Sequence, residues 1–255
     1  MYKYEELFCR NIGFINKQEQ QKLSRFSIGI AGMGADGGLL AERLVRFGIG
    51  KIVLADPEVF EPSNVNRQFA ANIRNIKKNK AEVIAKELIL INPRLEVVVF
   101  NKGVNRTNVG NFVREAEIIV DEIEYLNHEL SVLLARETRK QYKYLFMGAN
   151  IGWGGSILCF SPKEMSFEKY FQYDPLTKKI NLLRYVKKIP EYFDRRLIQK
   201  IIKREIIIPS LASSVGLVTS LLSSEIILFI LGKKRPISVP RILFFDAFER
   251  KIKIR

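Results

Sequence analysis

The sequence predicts an α/β fold built on a mixed sheet, with a parallel amino-terminal half, helices on both faces and an antiparallel carboxy-terminal part. Two observations support this prediction. Up to about residue 150, apolar strand-like runs alternate with helix-like segments, which is typical of parallel strands joined by helices. Beyond residue 150 the alternation ends, and the runs 153–160, 241–246 and 248–254 have the character of antiparallel strands.

The elements of the first half follow from hydrophobic periodicity and from turn residues. The expected elements are strands at 26–31, 51–56, 95–100, 116–121 and 143–148, and helices at 37–47, 79–91, 107–115 and 127–140. The helix at 79–91 is the clearest, because its apolar residues recur at three- and four-residue spacing and Asn92-Pro93 ends it.

A glycine turn connects the first strand to the first long helix. Gly32, Gly34 and Gly37 fit the pattern G-x-G-x-x-G, and Asp56 ends the next strand, 19 residues after Gly37. Glycines allow the backbone to turn tightly beside a phosphate, and the helix start supplies N–H groups. A carboxylate at the end of the second strand can accept hydrogen bonds from a ribose. This unit predicts a Rossmann-like nucleotide site.

The chain is long enough for one substantial core, and it shows no obvious linker. It has 255 residues, 47% of them hydrophobic, and no Gly/Ser/Pro-rich stretch divides it. We expect a single domain over 1–255. Within it, 1–25 would form an N-terminal helical region, 26–150 the nucleotide-binding half, and 151–255 an antiparallel half with a crossover loop.

The loop after Asp56 differs from the short connection expected in a dehydrogenase. It holds Asn64, Arg67 and Gln68, and Lys80 follows at the start of the helix 79–91. A lysine in a first helical turn lies at the positive end of the helix dipole, an unfavourable place that a bound polyphosphate would make favourable. The alternative interpretation is a solvated lysine in the basic run 77–80.

In this order, the motifs resemble those of the ThiF/MoeB/HesA group, the prokaryotic relatives of ubiquitin-activating enzymes. The resemblance rests on the glycine turn, the strand-end aspartate, S-N-x-x-R-Q, the helix-starting lysine and I-N-P, and it covers about 10–160. It extends more loosely to the C-terminus. It implies an ATP-dependent adenylyltransferase that activates a carboxylate as an acyl-adenylate. The carboxylate would most often be the C-terminus of a ubiquitin-like or sulfur-carrier protein.

The resemblance also implies roles for individual residues. The residues expected to bind the nucleotide are Gly32, Gly34, Gly37, Asp56, Asn64 and Gln68. Arg67 would face the charge that develops on the leaving group, and Lys80 would hold the outer phosphate. Arg10 would reach into the site of a neighbouring subunit in a homodimer.

Magnesium is the point at which the sequence departs from the family pattern. The family has D-x-x-D at the end of a strand, and its second aspartate binds the metal. Here Asp121 is present, but Glu124 occupies the second position. Glutamate oxygens can bind Mg²⁺, although the side chain is one methylene longer. The resemblance therefore implies that Asp121 and Glu124 hold Mg²⁺, with Glu124 as a third catalytic residue beside Arg67 and Lys80.

The cysteine content bears on zinc binding and on the cellular compartment. The two cysteines, Cys9 and Cys159, form no C-x-x-C pair, so we expect no zinc. Cys159 lies in an apolar run and is expected to be a core residue. Few cysteines and no secretory signal favour the cytoplasm.

The segment 211–231 contains Glu225 and many hydroxyl side chains, so we expect a buried helix and no membrane span.

Two alternative functions remain open. The net charge is +15, and ten lysines and arginines lie between Lys178 and Arg204. A basic surface attracts acidic proteins or RNA, so a tRNA-modifying ATP-dependent activator of the same family is one alternative. The other is a catalytically degenerate nucleotide-binding scaffold. Glu124 favours it, and so do Ala35 and Asp36 in the glycine turn. Asp36 would place a negative charge near the expected phosphates, or would instead stabilise the start of the helix.

Overall fold

The computed structural model describes residues 2–186, 189–202, 205–206 and 208–255. Four of the ten basic residues in the segment 178–204 lie outside the described residues: Lys187, Lys188, Lys203 and Arg204.

In the part of the chain that the structure describes, eight strands form one mixed sheet. The strands are β1 (Ser27–Ala31), β2 (Lys51–Ala55), β3 (Glu96–Phe100), β4 (Ile118–Asp121), β5 (Tyr144–Ile151), β6 (Gly154–Phe160), β7 (Leu243–Asp246) and β8 (Lys251–Ile254). Their order in the sheet is β3-β2-β1-β4-β5-β6-β7-β8. Pairings from β3 to β5 are parallel, and those from β5 to β8 are antiparallel.

Helices cover both faces of this sheet. The α-helices of the described chain are α1 (Tyr4–Leu7), α2 (Lys17–Leu23), α3 (Ala35–Arg46), α4 (Lys80–Ile91), α5 (Val109–Arg114), α6 (His128–Lys140), α7 (Phe167–Phe171), α8 (Arg195–Ile202) and α9 (Ala212–Ile230). One apolar core contains buried residues of α3, α4 and α9, such as Leu44, Leu88 and Leu222. The second core contains buried residues of α5, α6 and α7, such as Phe112 and Leu134. The predicted α/β fold class is confirmed.

Most predicted elements begin and end within two residues of the observed ones. β5 is longer than expected because it continues to pair with β6 until Ile151 opposes Gly154. The final strand is shorter than expected, since residues 247–250 form a turn in which Arg250 has a φ of 53°. The predicted strand 248–254 was therefore wrong at its first three residues.

Helix α9 is the one helix within the described ranges that is long and apolar enough to cross a membrane. It packs against α3, β5 and β6. Its residues Val218, Leu222 and Ile226 are fully buried in the core of this face. In the structure this helix is a packed element of the core.

The register of the parallel strands brings their carboxyl ends to one edge. Ala31 of β1 lies opposite Ala55 of β2 on one side and Asp121 of β4 on the other. The residues that follow these three strands therefore meet. β1 is also the strand where the chain order reverses, between β2 and β4, and ligands of open α/β sheets bind in the crevice at such a point.

Candidate active site

The glycine turn is held in a conformation that only glycine adopts easily. Gly32 has a φ of 96°, and a Cβ there would overlap the backbone carbonyl of Glu122. Its N–H donates to the Ala55 carbonyl oxygen at 2.7 Å, which ties the turn to β2. The turn therefore packs tightly between the ends of β2 and β4.

The other two glycines of the motif have different tasks. A Cβ at Gly37 would overlap the Gly32 carbonyl oxygen, so this glycine lets the start of α3 pack on the turn. Gly34 precedes α3, and a Cβ there would meet no atom within 4 Å. The space above Gly34 is open at the positive end of α3, where an anion is favoured.

Asp56 follows β2 and holds two backbone segments together. Its Oδ2 accepts from the Met33 N–H at 2.6 Å, and its Oδ1 accepts from the Glu58 N–H at 2.7 Å. Burial raises the pKa of this carboxyl, while the two N–H donors and the nearby Lys80 oppose that rise. Each carboxylate oxygen has a second lone pair that can accept from a hydroxyl.

Lys80 is the first residue of α4, and it is buried. It is only 4% exposed, and its Nζ lies 2.6 Å from Oε2 of Glu58. Asn79 caps the helix by accepting from the Glu82 N–H at 3.1 Å. A solvated lysine in a basic run is therefore the wrong interpretation of Lys80, because its side chain is buried and its ammonium is paired with a carboxylate.

Glu58 is a site residue that the sequence reasoning missed. Its side chain is 63% exposed, so the carboxylate of this ion pair is accessible to solvent. The only sequence signal was its place two residues after the strand-end Asp56.

The polar loop, residues 57–79, contains buried hydrogen-bonding atoms that lack partners in the described part of the chain. Arg67 Nη1 donates to the Ser63 carbonyl oxygen at 2.9 Å and to Oδ1 of Asn66 at 2.8 Å. Arg67 Nε and Gln68 Oε1 are buried, and neither meets a hydrogen-bond partner among the described residues. Asn64 is buried too, and its Oδ1 accepts from the Glu61 N–H at 2.9 Å. Buried polar atoms without partners are uncommon in folded proteins, and a bound ligand is one way to satisfy them.

The carboxylates expected to bind magnesium lie in different environments. Asp121 is buried, its Oδ1 accepts from the Ile123 N–H at 3.1 Å, and burial raises its pKa to about 6. Glu124 is exposed, three residues after the end of β4. Partial loss of solvent and then the nearby Glu58 carboxylate raise the pKa of Glu124, while Lys80 and Arg67 oppose the rise.

Glu124, Glu58, Lys80 and Arg67 therefore lie close enough for their charges to interact, and we call this region, at the carboxyl ends of β2 and β4, the cleft. The described residues contain no group of three or more His, Cys, Asp or Glu side chains that could hold a metal ion. Mg²⁺ commonly uses only one or two carboxylates together with substrate phosphates. The exposed carboxylates of Glu58 and Glu124 fit such a site. Asp121 lies deeper, at the end of β4, and its role as a magnesium ligand stays a prediction.

We expected the Asp36 charge to lie near the phosphates, but the Asp36 side chain is bound to another part of the chain. It is buried, and its Oδ2 accepts from Nδ2 of Asn150 at 2.7 Å. Burial raises its pKa to about 6. Glu122 is its partner in this buried pair: burial and the Asp36 charge raise the pKa of Glu122 well above its usual range. The carboxyl of Asp36 therefore binds the end of β5.

Arg10 is not brought into this site. It is exposed in a short 3-10 helix, Cys9–Asn11. The neighbouring Asn11 donates to the Phe47 carbonyl oxygen at 3.3 Å, at the carboxyl end of α3. A helix of 12 residues is about 18 Å long, so Arg10 and Gly34 lie at opposite ends of α3. A role in a neighbouring subunit stays a prediction.

The two cysteines differ in exposure. Cys159 is 1% exposed in β6, and burial raises the pKa of its thiol strongly. Such a thiol is not a nucleophile near neutral pH, which confirms the prediction of a core residue. Cys9 is exposed.

The sequence matches the ThiF family over residues 8–255. The chain belongs to the ThiF family. It is 32% identical over 163 residues to the sulfur carrier protein ThiS adenylyltransferase of Bacillus subtilis, covering 63% of this chain and 47% of that protein. It is also 32% identical over 152 residues to the tRNA threonylcarbamoyladenosine dehydratase of Escherichia coli K12, covering 59% of this chain and 55% of that protein. This ThiF-family chain thus spans about half the length of these curated relatives.

Solved structures show the same fold. Escherichia coli MccB, crystallised with MccA-N7isoASN, aligns with all of this chain and with 72% of its own, at a TM-score of 0.75 and 19% identity. PaaA aligns with 93% of this chain and 65% of its own, at a TM-score of 0.68 and 16% identity. At these identities the likeness concerns the fold of this ThiF-family chain.

Proposed function

We propose that this chain is an ATP-dependent adenylyltransferase that activates a carboxylate as an acyl-adenylate. The observation that carries the proposal is the meeting of Arg67 and Lys80 at a cleft formed by the glycine turn and Asp56. Arg67 has a buried donor that meets no acceptor within the described ranges, and Lys80 is held inside the cleft. Such an arrangement is suited to a triphosphate.

The proposed reaction is the transfer of an adenylyl group to a carboxylate. A carboxylate oxygen of the acceptor attacks the α-phosphorus of ATP, and the bond between the α-phosphorus and the bridging oxygen breaks. Pyrophosphate leaves with the electron pair. Arg67 and Lys80 stabilise the negative charge that develops on the phosphates, at positions fixed before the reaction.

Each part of the nucleotide has a proposed partner. The Asp56 carboxylate would accept from the ribose hydroxyls, and the open backbone at Gly34 and the start of α3 would receive the α-phosphate. The Lys80 ammonium has three donors, of which Glu58 takes one, so two remain for phosphate oxygens. Magnesium, when bound by Glu58 and Glu124, would supply further neutralisation of phosphate charge.

We propose a ubiquitin-like or sulfur-carrier protein tail as the acceptor. Support comes from relatives named for sulfur carrier protein and molybdopterin-synthase adenylyltransferases, and from the fold neighbour MccB, which has been crystallised with MccA and with ATP. We further propose a homodimer, in which Arg10 would complete the partner's site. A cytoplasmic location is also proposed, supported by the low cysteine content.

A tRNA-modifying activator is the second candidate. Relatives named tRNA threonylcarbamoyladenosine dehydratase favour it, and so does the basic segment 178–204. RNA binding through such a segment would weaken steeply as salt rises, whereas a glycine tail bound in a cleft would depend less on salt.

Exchange of labelled pyrophosphate into ATP tests the main proposal. The probe carboxylate is a small ubiquitin-fold protein that ends in Gly-Gly, with unfractionated tRNA as the second probe. We expect exchange with the protein probe and its loss when the terminal Gly-Gly is removed. Exchange that requires tRNA would favour the second candidate. ATP binding without exchange with either probe would favour a degenerate scaffold.

A further inference from the structure

Four hydrogen bonds join Arg67 to the start of α3. Arg67 Nη1 donates to Oδ1 of Asn66 at 2.8 Å, and Asn66 Nδ2 donates to the Ser210 carbonyl oxygen at 3.1 Å. Ser210 Oγ donates to Oδ1 of Asn150 at 2.7 Å, and Asn150 Nδ2 donates to Oδ2 of Asp36 at 2.7 Å. We name this set the Arg67–Asp36 chain.

The Arg67–Asp36 chain connects segments that are far apart in sequence. Asn66 and Asn150 are 84 positions apart, and Ser210 follows Asn150 by 60. Asn150 lies near the end of β5, and Ser210 lies just before α9. Asn66, Ser210 and Asn150 each use one polar atom for one neighbour and a second polar atom for the other, so each is held from two sides.

We infer that Asn66 and Ser210 are positioning residues for Arg67, an inference that rests on the proposed ATP site. Arg67 is partly exposed, and an arginine loses much rotamer freedom when it grips a ligand. Its Nη1 donates to Asn66 and to the Ser63 carbonyl, and its buried Nε meets no acceptor in the part of the chain that the structure describes. The Arg67–Asp36 chain thus holds the guanidinium in place while its Nε donor stays available for a phosphate.

Ser210 gives this arrangement a second consequence. Its backbone carbonyl holds Asn66, and its hydroxyl holds Asn150, so the segment before α9 carries the link between the polar loop and β5. A change at Ser210 should therefore alter the affinity of a ligand that engages Arg67, because the same hydrogen bonds connect the two residues.

A double-mutant cycle on the full chain tests the inference, with Mg-ATP affinity measured by calorimetry. Asn66→Ala should weaken Mg-ATP binding roughly five- to tenfold, the size expected for the loss of one ordinary hydrogen bond. In an Arg67→Ala background the same substitution should change the affinity less than twofold. Ser210→Ala should weaken binding about two- to threefold, again only when Arg67 is present.

The matched control is Asn111→Ala. Asn111 also accepts from an arginine Nη1, that of Arg114 at 2.9 Å, but on the exposed surface of α5. It should leave Mg-ATP affinity unchanged, and melting temperatures of all variants show whether each is folded.

Two results would overturn the inference. Equal weakening by Asn66→Ala with and without Arg67 would show a general structural role, and no weakening by either Asn66→Ala or Ser210→Ala would show no role. Failure of the proposed function is separate, because the wild-type chain would then not bind Mg-ATP, or Arg67→Ala would leave its affinity unchanged.

Discussion

The ammonium of Lys80 lies 2.6 Å from the carboxylate of Glu58, with the lysine side chain 5% exposed and the glutamate side chain 63% exposed. The contact links the start of α4 to the loop that follows Asp56. Lys80, the cation expected to hold a phosphate, is therefore already paired with the Glu58 carboxylate. The Glu58 carboxylate therefore repels phosphates bound at Lys80 unless a metal ion lies between the two anions.

Glu58→Gln should separate these two effects. Removing the negative charge leaves Lys80 free for phosphate, so affinity for ATP without magnesium should rise by roughly two- to fivefold. The stimulation of binding by magnesium should fall, because one of the two proposed metal carboxylates is gone. Calorimetry with and without magnesium measures both, with Glu87→Gln on the same helix as Lys80 as the control. An unchanged magnesium effect would remove Glu58 from the metal site.

Gly32→Ala should destabilise the fold and weaken nucleotide binding. The φ of 96° and the close Glu122 carbonyl make any Cβ unfavourable, and we expect a loss of about 2 to 4 kcal/mol in the free energy of unfolding. Gly216→Ala is the matched control, since a Cβ at this helical position meets only Arg43 Nη2 at 4.0 Å. It should stabilise by about 0.5 to 1 kcal/mol. Urea unfolding measures both, and equal effects would contradict the strained turn.

The buried pair Asp36 and Glu122 should make stability depend on pH. Both pKa values are raised in the folded chain, so the folded state holds more protons than the unfolded state. The stability of the protonated pair is fully present below about pH 4 and is lost as pH rises through 6 and above. For Asp36, a rise from 3.8 to about 6 corresponds to on the order of 3 kcal/mol.

Asp36→Asn is the variant that checks this dependence. The amide oxygen can still accept from Asn150 Nδ2, but the group no longer titrates. The free energy of unfolding of the variant, measured by urea between pH 4.5 and 7.5, should fall less with pH than that of the wild type. Parallel curves for the two proteins would contradict the assignment.

Arg10 should act across a dimer interface if the proposed homodimer forms. Arg10→Ala and Lys80→Met should each abolish pyrophosphate exchange when tested alone. In a mixed heterodimer, one site would combine an intact Lys80 with the partner's intact Arg10. An equal mixture should then recover about a quarter of wild-type activity, as random pairing of subunits implies. No recovery after subunit exchange would contradict a role in trans.

Much of the fold followed from the sequence because its signals are local. The periodicity of 79–91, the punctuation at Asn92-Pro93 and the glycine turn depend only on near neighbours. The strand ends then placed Asp56 and Asp121 at one edge, and the register confirms that placement.

The parts that the sequence did not predict depend on contacts between distant residues. Asp36 looked like a charge beside the phosphates until Asn150, 114 positions away, was found to bind it. Lys80 could be solvated until Glu58 was seen to hold it, 22 positions earlier. No local pattern fixes such pairs, because they depend on how the loops fold back on the sheet edge.

Calorimetric titration of the wild-type chain, Lys80→Met and Lys78→Ala with Mg-ATP tests the central claim most directly. Met keeps most of the buried lysine stem, and Lys78 is an exposed lysine two residues away. We predict that the wild type and Lys78→Ala bind Mg-ATP alike, and that Lys80→Met binds at least tenfold more weakly. Absence of Mg-ATP binding to the wild type, or binding of NAD in its place, would contradict the account.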